Sequence, residues 1–433
     1  MAWDFSTEPE FEEQLEWMRG FVRREIWPME TIVGALDQAG IDRLYAPLQA
    51  EVKARGLWAA HLDPELGGQG FGQLKLGLMH EILGTSPYAP NAFGCQAPDS
   101  GNSEILALAG TDEQKDRFLH PLLAGDLKSA FSMTEPNTSG SDPTLLQTRA
   151  VRDGEDYIIN GRKWFTSNGS IADFLIVMAV TDPDARPHQR ATMFIVPVDT
   201  PGVKIVRDVA TMEHPAEEFG KLGGHAEIIY EDVRIPATLR LGAEGAGFLI
   251  SQQRLYPGRI HHCMRWIGVA NRAFDMLCER STYRFAHGSV LAGHQTVQNW
   301  IADSAAELQA ARLMTLHAAW VMDTQGVSAA RVPISLIKFY SAGVLHDVID
   351  RAVQAHGSLG YSTDMPLEAM YRYARGWRLY DGPDEVHRQS VARQILHGYS
   401  PPEDGIPSED IPSRRAAARE KFAELLDLAS ANA

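Results

Sequence analysis

Phe11, Leu15, Met18, Val22 and Ile26 recur at helical spacing near the start of the chain, which predicts a helix with one apolar face. Thr7 and Glu10 stand before them as a capping-box pair. Helical patterning continues through Thr31–Arg55 and Gln73–Leu83, interrupted by the turn-rich run Asp63-Pro64-Glu65-Leu66-Gly67-Gly68-Gln69-Gly70, and returns over Glu113–Leu123. From about Ser129 the texture changes. Asp153-Gly154 and Asn160-Gly161 are hairpin-type turn signals flanking Tyr157-Ile158-Ile159. Phe174–Met178, Thr192–Pro197 and Ala226–Tyr230 read as further strands, a rhythm that suggests a β-barrel or sandwich. Beyond Gly247 the helical period resumes and holds to about Leu396, with Ile337, Val344, Val348 and Ala352 on one long candidate helix. A tail holding Pro401, Pro402, Pro407 and Pro412 leads to a short helix over Ser413–Leu428. The expected organisation is a helical domain over 1–129, a β-domain over 130–245, a helical domain over 246–399, and a linker with tail helix over 400–433.

Composition narrows the partners. The chain has 433 residues and a net charge of −16, which argues against nucleic acid or an anionic membrane. Cys95, Cys263 and Cys278 form no CxxC pair, the usage of a reduced compartment with buried thiols. Met1–Glu16 is acidic and has neither an apolar signal core nor an Arg-rich transit pattern. The apolar run Phe174–Val180 is too short to cross a bilayer. A soluble, cytoplasmic protein is the expectation.

The common chemical signatures are missing. No GxGxxG follows a strand, and there is neither a GxxxxGK[ST] loop nor a GxSxG elbow. Metal-ligand spacing is lacking too. His261 and His262 are adjacent, so on a helix they point apart, and surface or core histidines are the expected reading. Three other segments stand out. Phe131–Asp142 is a hydroxyl-rich loop between helix and β-domain, offering N–H and hydroxyl groups to an electron-rich heterocycle or a phosphate; its bland alternative is a turn-rich linker. In Gly161–Gly169, Trp164 would stack on a flat ring while Thr166, two residues on and on the same strand face, donates to its edge; a buried structural tryptophan is the alternative. Tyr380–His387 is a carboxylate-rich turn between helices, which alone reads equally well as a solvated N-cap near Asp384.

Taken together, these segments resemble the acyl-CoA dehydrogenase family over nearly the whole chain, from about Phe11 to Leu396. The pieces come in the family's order: Leu66–Phe71, Gly110–Lys115 with Pro121-Leu122, Thr134-Glu135-Pro136, Lys163–Thr166, Glu231–Pro236, Gly242–Phe248 and Asp381-Gly382. Cys95–Asn102, Pro257–Arg265 and Asp381–His387 are closer to the subgroup whose animal members follow a kinase-like domain; the expectation here is the dehydrogenase module alone. The resemblance implies an α+β multidomain fold: an N-terminal helical domain, a middle β-barrel and a C-terminal four-helix bundle. It also implies FAD between barrel and bundle, in a homodimer or homotetramer.

Residue by residue, the resemblance implies these roles. Phe131, the Met133 backbone and Thr134 would meet the flavin, Trp164 would cover a ring face, and Thr166 would reach N5. Ser139 and Ser141 would serve cofactor and substrate, with roles that exchange in the longer loop. Arg284 and Gln295 would grip the FAD of a neighbouring subunit, and Gln354, Gly357 and Ser358 would form a further dinucleotide-contacting turn. Glu385 stands where many relatives carry a glutamine against FAD, and as a carboxylate it needs a cationic partner. Gly258, Arg259 and Gly382 would line the substrate. The α-proton base is a glutamate before this glycine in many relatives; here the position is Asp381, while Gly258 vacates the alternative base site on the bundle helix. The implied reaction is α,β-dehydrogenation of an acyl-CoA, with electrons passing to electron-transfer flavoprotein. The alternatives are an oxidase on the same scaffold (acyl-CoA oxidase or nitroalkane-oxidase-like), a dehydrogenase of 4-hydroxyacyl-CoAs, and an FAD-free helical scaffold.

Overall fold

The apolar stripe near the N-terminus becomes the helix Pro9–Phe21, but without the expected capping box. Glu8 is its N-cap with no side-chain cap bond, and the Thr7 hydroxyl instead bonds the Glu12 carboxylate. This computed structural model describes residues 7–215, 219–403 and 405–431; the first residues of the acidic N-terminal segment lie outside them. Met1–Arg388 packs as one unit and Gln389–Ala433 as a second.

The second helical run begins later than its pattern suggests. A 3-10 turn at Val33–Ala35 comes first, then Asp37 caps the helix Gln38–Ala54 by accepting from Gly40 N–H at 2.7 Å. Helices Gly72–Leu83 and Asp99–Ala109 follow. Thr111 and Gln114 form a true capping box at the start of a helical run reaching Ala124, which passes through a π-turn at Lys115–Leu119.

The β-domain is one mixed sheet of eight strands. These are β1 (Ser129–Ser132), β2 (Arg149–Asp153), β3 (Asp156–Ser167), β4 (Phe174–Val180), β5 (Ala191–Pro197), β6 (Val203–Asp208), β7 (His225–Pro236) and β8 (Arg240–Leu241). Their order is β6-β7-β3-β2-β4-β5-β8, with β1 parallel beside β4. β4 is buried along its length, as its unbroken apolar sequence requires for a strand covered on both faces. Only the first hairpin signal makes a turn. Asn160-Gly161 lies inside β3, where the register against β7 shifts between Ile159 and Gly161; the bulge lets Thr148 pack so close that a Cβ at Gly161 would meet its Oγ1 at 2.4 Å.

The C-terminal helices are Gly247–Tyr283, Gln295–His356, Leu367–Gly376 and Asp384–Leu396. The second is two helices in series, because Gly326 takes φ +83° in its middle, a conformation that favours glycine. Mean hydropathy reaches 1.3 in one stretch of it, half of which is buried, as suits a core helix. Ile260, Met264, Ile267, Ile337, Leu345 and Val348 fill the bundle core, and Trp266 stacks on Trp377 at 5.1 Å. In the second unit, the tail helix divides into Ile411–Lys421 and Ala423–Ala431.

Candidate active site

The turn between Gly376 and Asp384 is tight enough to need two consecutive left-handed residues, Asp381 at φ +54° and Gly382 at φ +96°. Aspartate tolerates that region better than most residues, and strain of this kind concentrates at functional sites. Three cationic or imidazole groups hold the turn. Arg259 Nε donates to the Asp381 carbonyl at 3.0 Å, and His387 Nε2 donates to the same oxygen at 3.1 Å. Lys338, fully buried, donates to the carbonyls of Trp377 at 2.7 Å and Gly382 at 3.4 Å. The Asp381 N–H has no partner among the described residues, so it is available to a ligand.

The carboxylate itself is 22% exposed and lies 3.1 Å from His262 Nε2. Burial acts to raise its pKa, but hydrogen bonding to His262 and the charges of Arg259 and Lys338 outweigh it and hold the group well below the usual carboxylate range. A Cβ placed on Gly258, the residue before Arg259, would meet nothing within 4 Å, so that face of the helix is open. His262 follows Gly258 by one helical turn and shares its face. Its neighbour His261 hides His262 in the sequence; the spacing of His262 from Gly258 and Arg259 on one helix is the signal that singles it out.

The helix Asp99–Ala109 supplies polar groups from the other side. Arg254 Nε donates to Asn102 Oδ1 at 3.0 Å, its guanidinium lies 4.3 Å from the Phe131 ring centre, and it faces both Glu104 and Asp381. Burial pushes Glu104 up to about 8, against the pull of Arg254. Asp99 is likewise raised by burial, to about 6, although Ser129 donates to it from N at 2.8 Å and Oγ at 2.6 Å. Arg265 reaches the Cys95 carbonyl and Gln96 Oε1, each at 3.4 Å. The segments Cys95–Asn102, Pro257–Arg265 and Asp381–His387 therefore converge on one place.

The hydroxyl-rich loop is strapped to β3. Thr134 Oγ1 donates to Trp164 O at 2.8 Å, and Trp164 N–H donates to Thr134 O at 3.1 Å. Beneath them Lys163 Nζ reaches Met133 O at 2.8 Å and Glu135 Oε1 at 2.9 Å, while Glu135 also accepts from Gln147 N and Thr148 N at 2.7 and 2.8 Å. Glu135 and Lys163 are buried; this ion pair, absent from the sequence reading, pins the loop. One expectation is corrected. Phe165 takes φ +48° at a second bulge, between Lys163 and Thr166, so alternation fails there. Thr166 is buried with the Lys163 side, its hydroxyl 3.3 Å from Ser132 Oγ, whereas Trp164 is half-buried and Phe165 exposed. Trp164 and Thr166 thus do not share a face by simple pleating.

Ser139 and Ser141 are exposed and bond each other at 2.9 Å. Arg284, Gln295, Gln354, Gly357, Ser358 and Glu385 are all exposed on the chain, and among the described residues no hydrogen bond or ion pair ties them to Trp164 or Asp381. Glu385 has a cationic neighbour, since Arg378 feels its charge. Asp384 is no solvated cap: it is buried and bonded by Arg378 Nε at 2.8 Å. A half-buried indole beside a hydroxyl-bearing loop, with an exposed guanidinium elsewhere on the chain, is a donor set that fits a flat heterocycle bearing a diphosphate.

Comparison with known proteins gives one answer. Profiles of the acyl-CoA dehydrogenase N-terminal, middle and C-terminal domains match residues 8–126, 130–222 and 245–396. Acyl-CoA dehydrogenase FadE2 of Mycobacterium tuberculosis is 47% identical over 352 residues, 81% of this chain and 84% of that protein. Acyl-CoA dehydrogenase family member 11 of Rattus norvegicus is 40% identical over 400 residues, 89% of this chain and 50% of that protein, so the chain spans about half that relative's length. A solved acyl-CoA dehydrogenase structure from Mycobacterium abscessus superposes with a TM-score of 0.85 at 38% identity, covering 92% of this chain and 100% of the other.

Proposed function

Because the chain belongs to the acyl-CoA dehydrogenase family, whose cofactor is FAD, we propose that it oxidises an acyl-CoA thioester to the trans-2-enoyl-CoA with Asp381 as the α-proton base. The observation that carries this reading is the Asp381 turn: a carboxylate 3.1 Å from His262, on the helix whose face is open at Gly258, with a free backbone N–H. The carboxylate takes the proton from Cα, while the Asp381 N–H supports the thioester oxygen as enolate character develops. FAD, when bound, supplies the acceptor for the β-hydride. Trp164 would lie against its ring, Met133 and Thr134 would meet its edge, and Arg284 and Gln295 would reach it from a second subunit. Arg259 acts on the base by holding its backbone carbonyl. Electron-transfer flavoprotein is the acceptor in this reading, and homo-oligomerisation completes the cofactor site.

The purified protein should be yellow, and butyryl-CoA or a longer straight-chain homologue should bleach it without air. Asp381→Asn keeps the volume and the N–H but loses the basic lone pair. It should bind FAD normally and slow bleaching by at least 10²–10⁴-fold, roughly the worth of a general base; bleaching near the wild-type rate would remove Asp381 from the role. Oxygen consumption matching substrate loss would instead favour an oxidase. A second reading, that the acyl chain carries a hydroxyl as in 4-hydroxyacyl-CoAs, draws support from Arg254, which faces Asp381 and Glu104 and donates to Asn102. Faster bleaching by hydroxylated than by plain thioesters is its test.

A further inference from the structure

We propose that His262 is a positioning residue for Asp381: a neutral imidazole, locked by Arg265 into the tautomer whose N–H points at the carboxylate, which aims the base at the substrate. The inference rests on Asp381 being the α-proton base and adds to that reading a residue that acts through the base.

The tautomer follows from donor and acceptor inventory. Arg265 Nη2 lies 2.9 Å from His262 Nδ1. A guanidinium has no acceptor, so Nδ1 must accept and the single imidazole proton sits on Nε2. Nε2 is the atom 3.1 Å from Asp381 Oδ2. Arg265 is buried, 5% exposed, and held through Cys95 O and Gln96, so the lock is anchored in the N-terminal domain. A second proton on His262 would have to displace Arg265. Burial and the Arg265 charge act against protonation and outweigh the pull of Asp381 toward it; with Arg265 already on Nδ1, the imidazole is a fixed donor and not a proton shuttle.

The other groups facing Asp381 do different work. Arg259 and His387 donate to its backbone carbonyl, and Lys338 to those of Trp377 and Gly382. Arg254 contributes charge across the gap, and Tyr380 and Asp384 flank the turn. Among the described residues, His262 is the group that reaches a carboxylate oxygen. With Oδ2 held, Oδ1 is left to meet the α-proton.

Three variants test this in the FAD-loaded enzyme, read by anaerobic bleaching with butyryl-CoA or its longer homologues across pH. His262→Leu removes the donor. The limiting rate should fall on the order of 10²-fold, the typical cost of a misplaced reacting group, and the acid limb should move to higher pH because the carboxylate has lost a stabilising partner. His262→Gln carries an acceptor for Arg265 and a donor for Asp381, and should restore the rate to within a few-fold with the limb returned. His262→Asn is polar but too short, and should behave like the leucine variant. Wild-type rate and limb in His262→Leu would overturn the proposal, as would equal behaviour of the asparagine and glutamine variants. A non-catalytic readout covers the case in which His262→Leu fails to fold. With ¹⁵N-labelled histidine, the imidazole signal lost in His262→Gln should report the Nε2–H tautomer at neutral pH; an Nδ1–H tautomer or an imidazolium would overturn the lock. Asp381→Asn, run in parallel, separates the two claims: if it bleaches normally the base assignment fails, whereas an inert Asp381→Asn beside an unimpaired His262→Leu removes only His262.

Discussion

Asp381 is held as a carboxylate before any substrate arrives, so its acid–base behaviour has a predictable sign. Its folded-state pKa lies below the ordinary value, through His262, Arg259 and Lys338 acting against burial. The base is therefore ionised throughout the neutral range in the free enzyme, and kcat/KM for flavin bleaching should persist as pH falls until below the usual carboxylate range. An acyl chain that displaces water from the gap strengthens the burial effect and raises the basicity where it is used. Lys338→Met removes one attracting charge and both carbonyl contacts. The acid limb should move to higher pH and the melting temperature should drop, since breaking hydrogen bonds from a buried charged group costs about 1.5–3 kcal/mol each; an unmoved limb in stopped-flow traces would show that Lys338 supports only the turn. Trp164→Ala belongs at this scale too. The expected result is an altered flavin absorption spectrum with faster access of small quenchers; an unchanged spectrum would make the half-buried indole ordinary packing.

At the scale of elements, the loop after β1 owes its place to β3. The Glu135–Lys163 pair is buried and each partner is further hydrogen-bonded, and breaking one side of such a pair typically costs about 3–5 kcal/mol, whereas replacing both with apolar residues costs much less. Glu135→Leu should therefore lower the melting temperature markedly and release FAD on gel filtration, and adding Lys163→Met should recover much of the stability. The Glu135 carboxyl is held below its ordinary value, burial being outweighed by Lys163 and the Thr148 contact. Its stabilisation is thus present above the usual carboxylate range and fades as pH falls through the lowered value. Thermal melts of wild type and the double variant should converge in acid; parallel curves would contradict the assignment.

For the whole molecule, no hydrogen bond or ion pair among the described residues ties Arg284 or Gln295 of the proposed cofactor grip to Asp381. Arg284 caps the end of Gly247–Tyr283, between Tyr283 and Phe285, which are 59% and 64% exposed. Tyr361, three residues past Ser358, is 85% exposed. Exposed aromatics beside unpaired polar groups mark a surface suited to a partner, and a second copy of the chain is the partner in this reading. Light scattering should give a dimer or tetramer, and Arg284→Ala should lose FAD while remaining folded. A monomer with full FAD occupancy would refute the shared site.

Element types and order were legible in the sequence because periodicity is a local property: spacing of apolar residues marks the helices, and Phe174–Val180 and Thr192–Pro197 mark strands without reference to anything distant. The turn Asp381-Gly382 and the loop at Thr134-Glu135-Pro136 were legible through motif order. Local pattern misled where a register or a cap depends on a partner. Asn160-Gly161 became a bulge because β7 runs alongside, Thr166 turned inward because Phe165 bulges out, and Thr7 found Glu12 in place of a cap. The buried polar groups were hidden for the same reason. His262 reads as one of two adjacent histidines until Asp381, over a hundred residues later, is folded against it and Arg265 fixes its proton. Sequence alone determines the family to which the chain belongs; the pairings of His262 with Asp381 and of Lys163 with Glu135 exist only once distant segments share a low-dielectric interior where a hydrogen bond to a charge is strong.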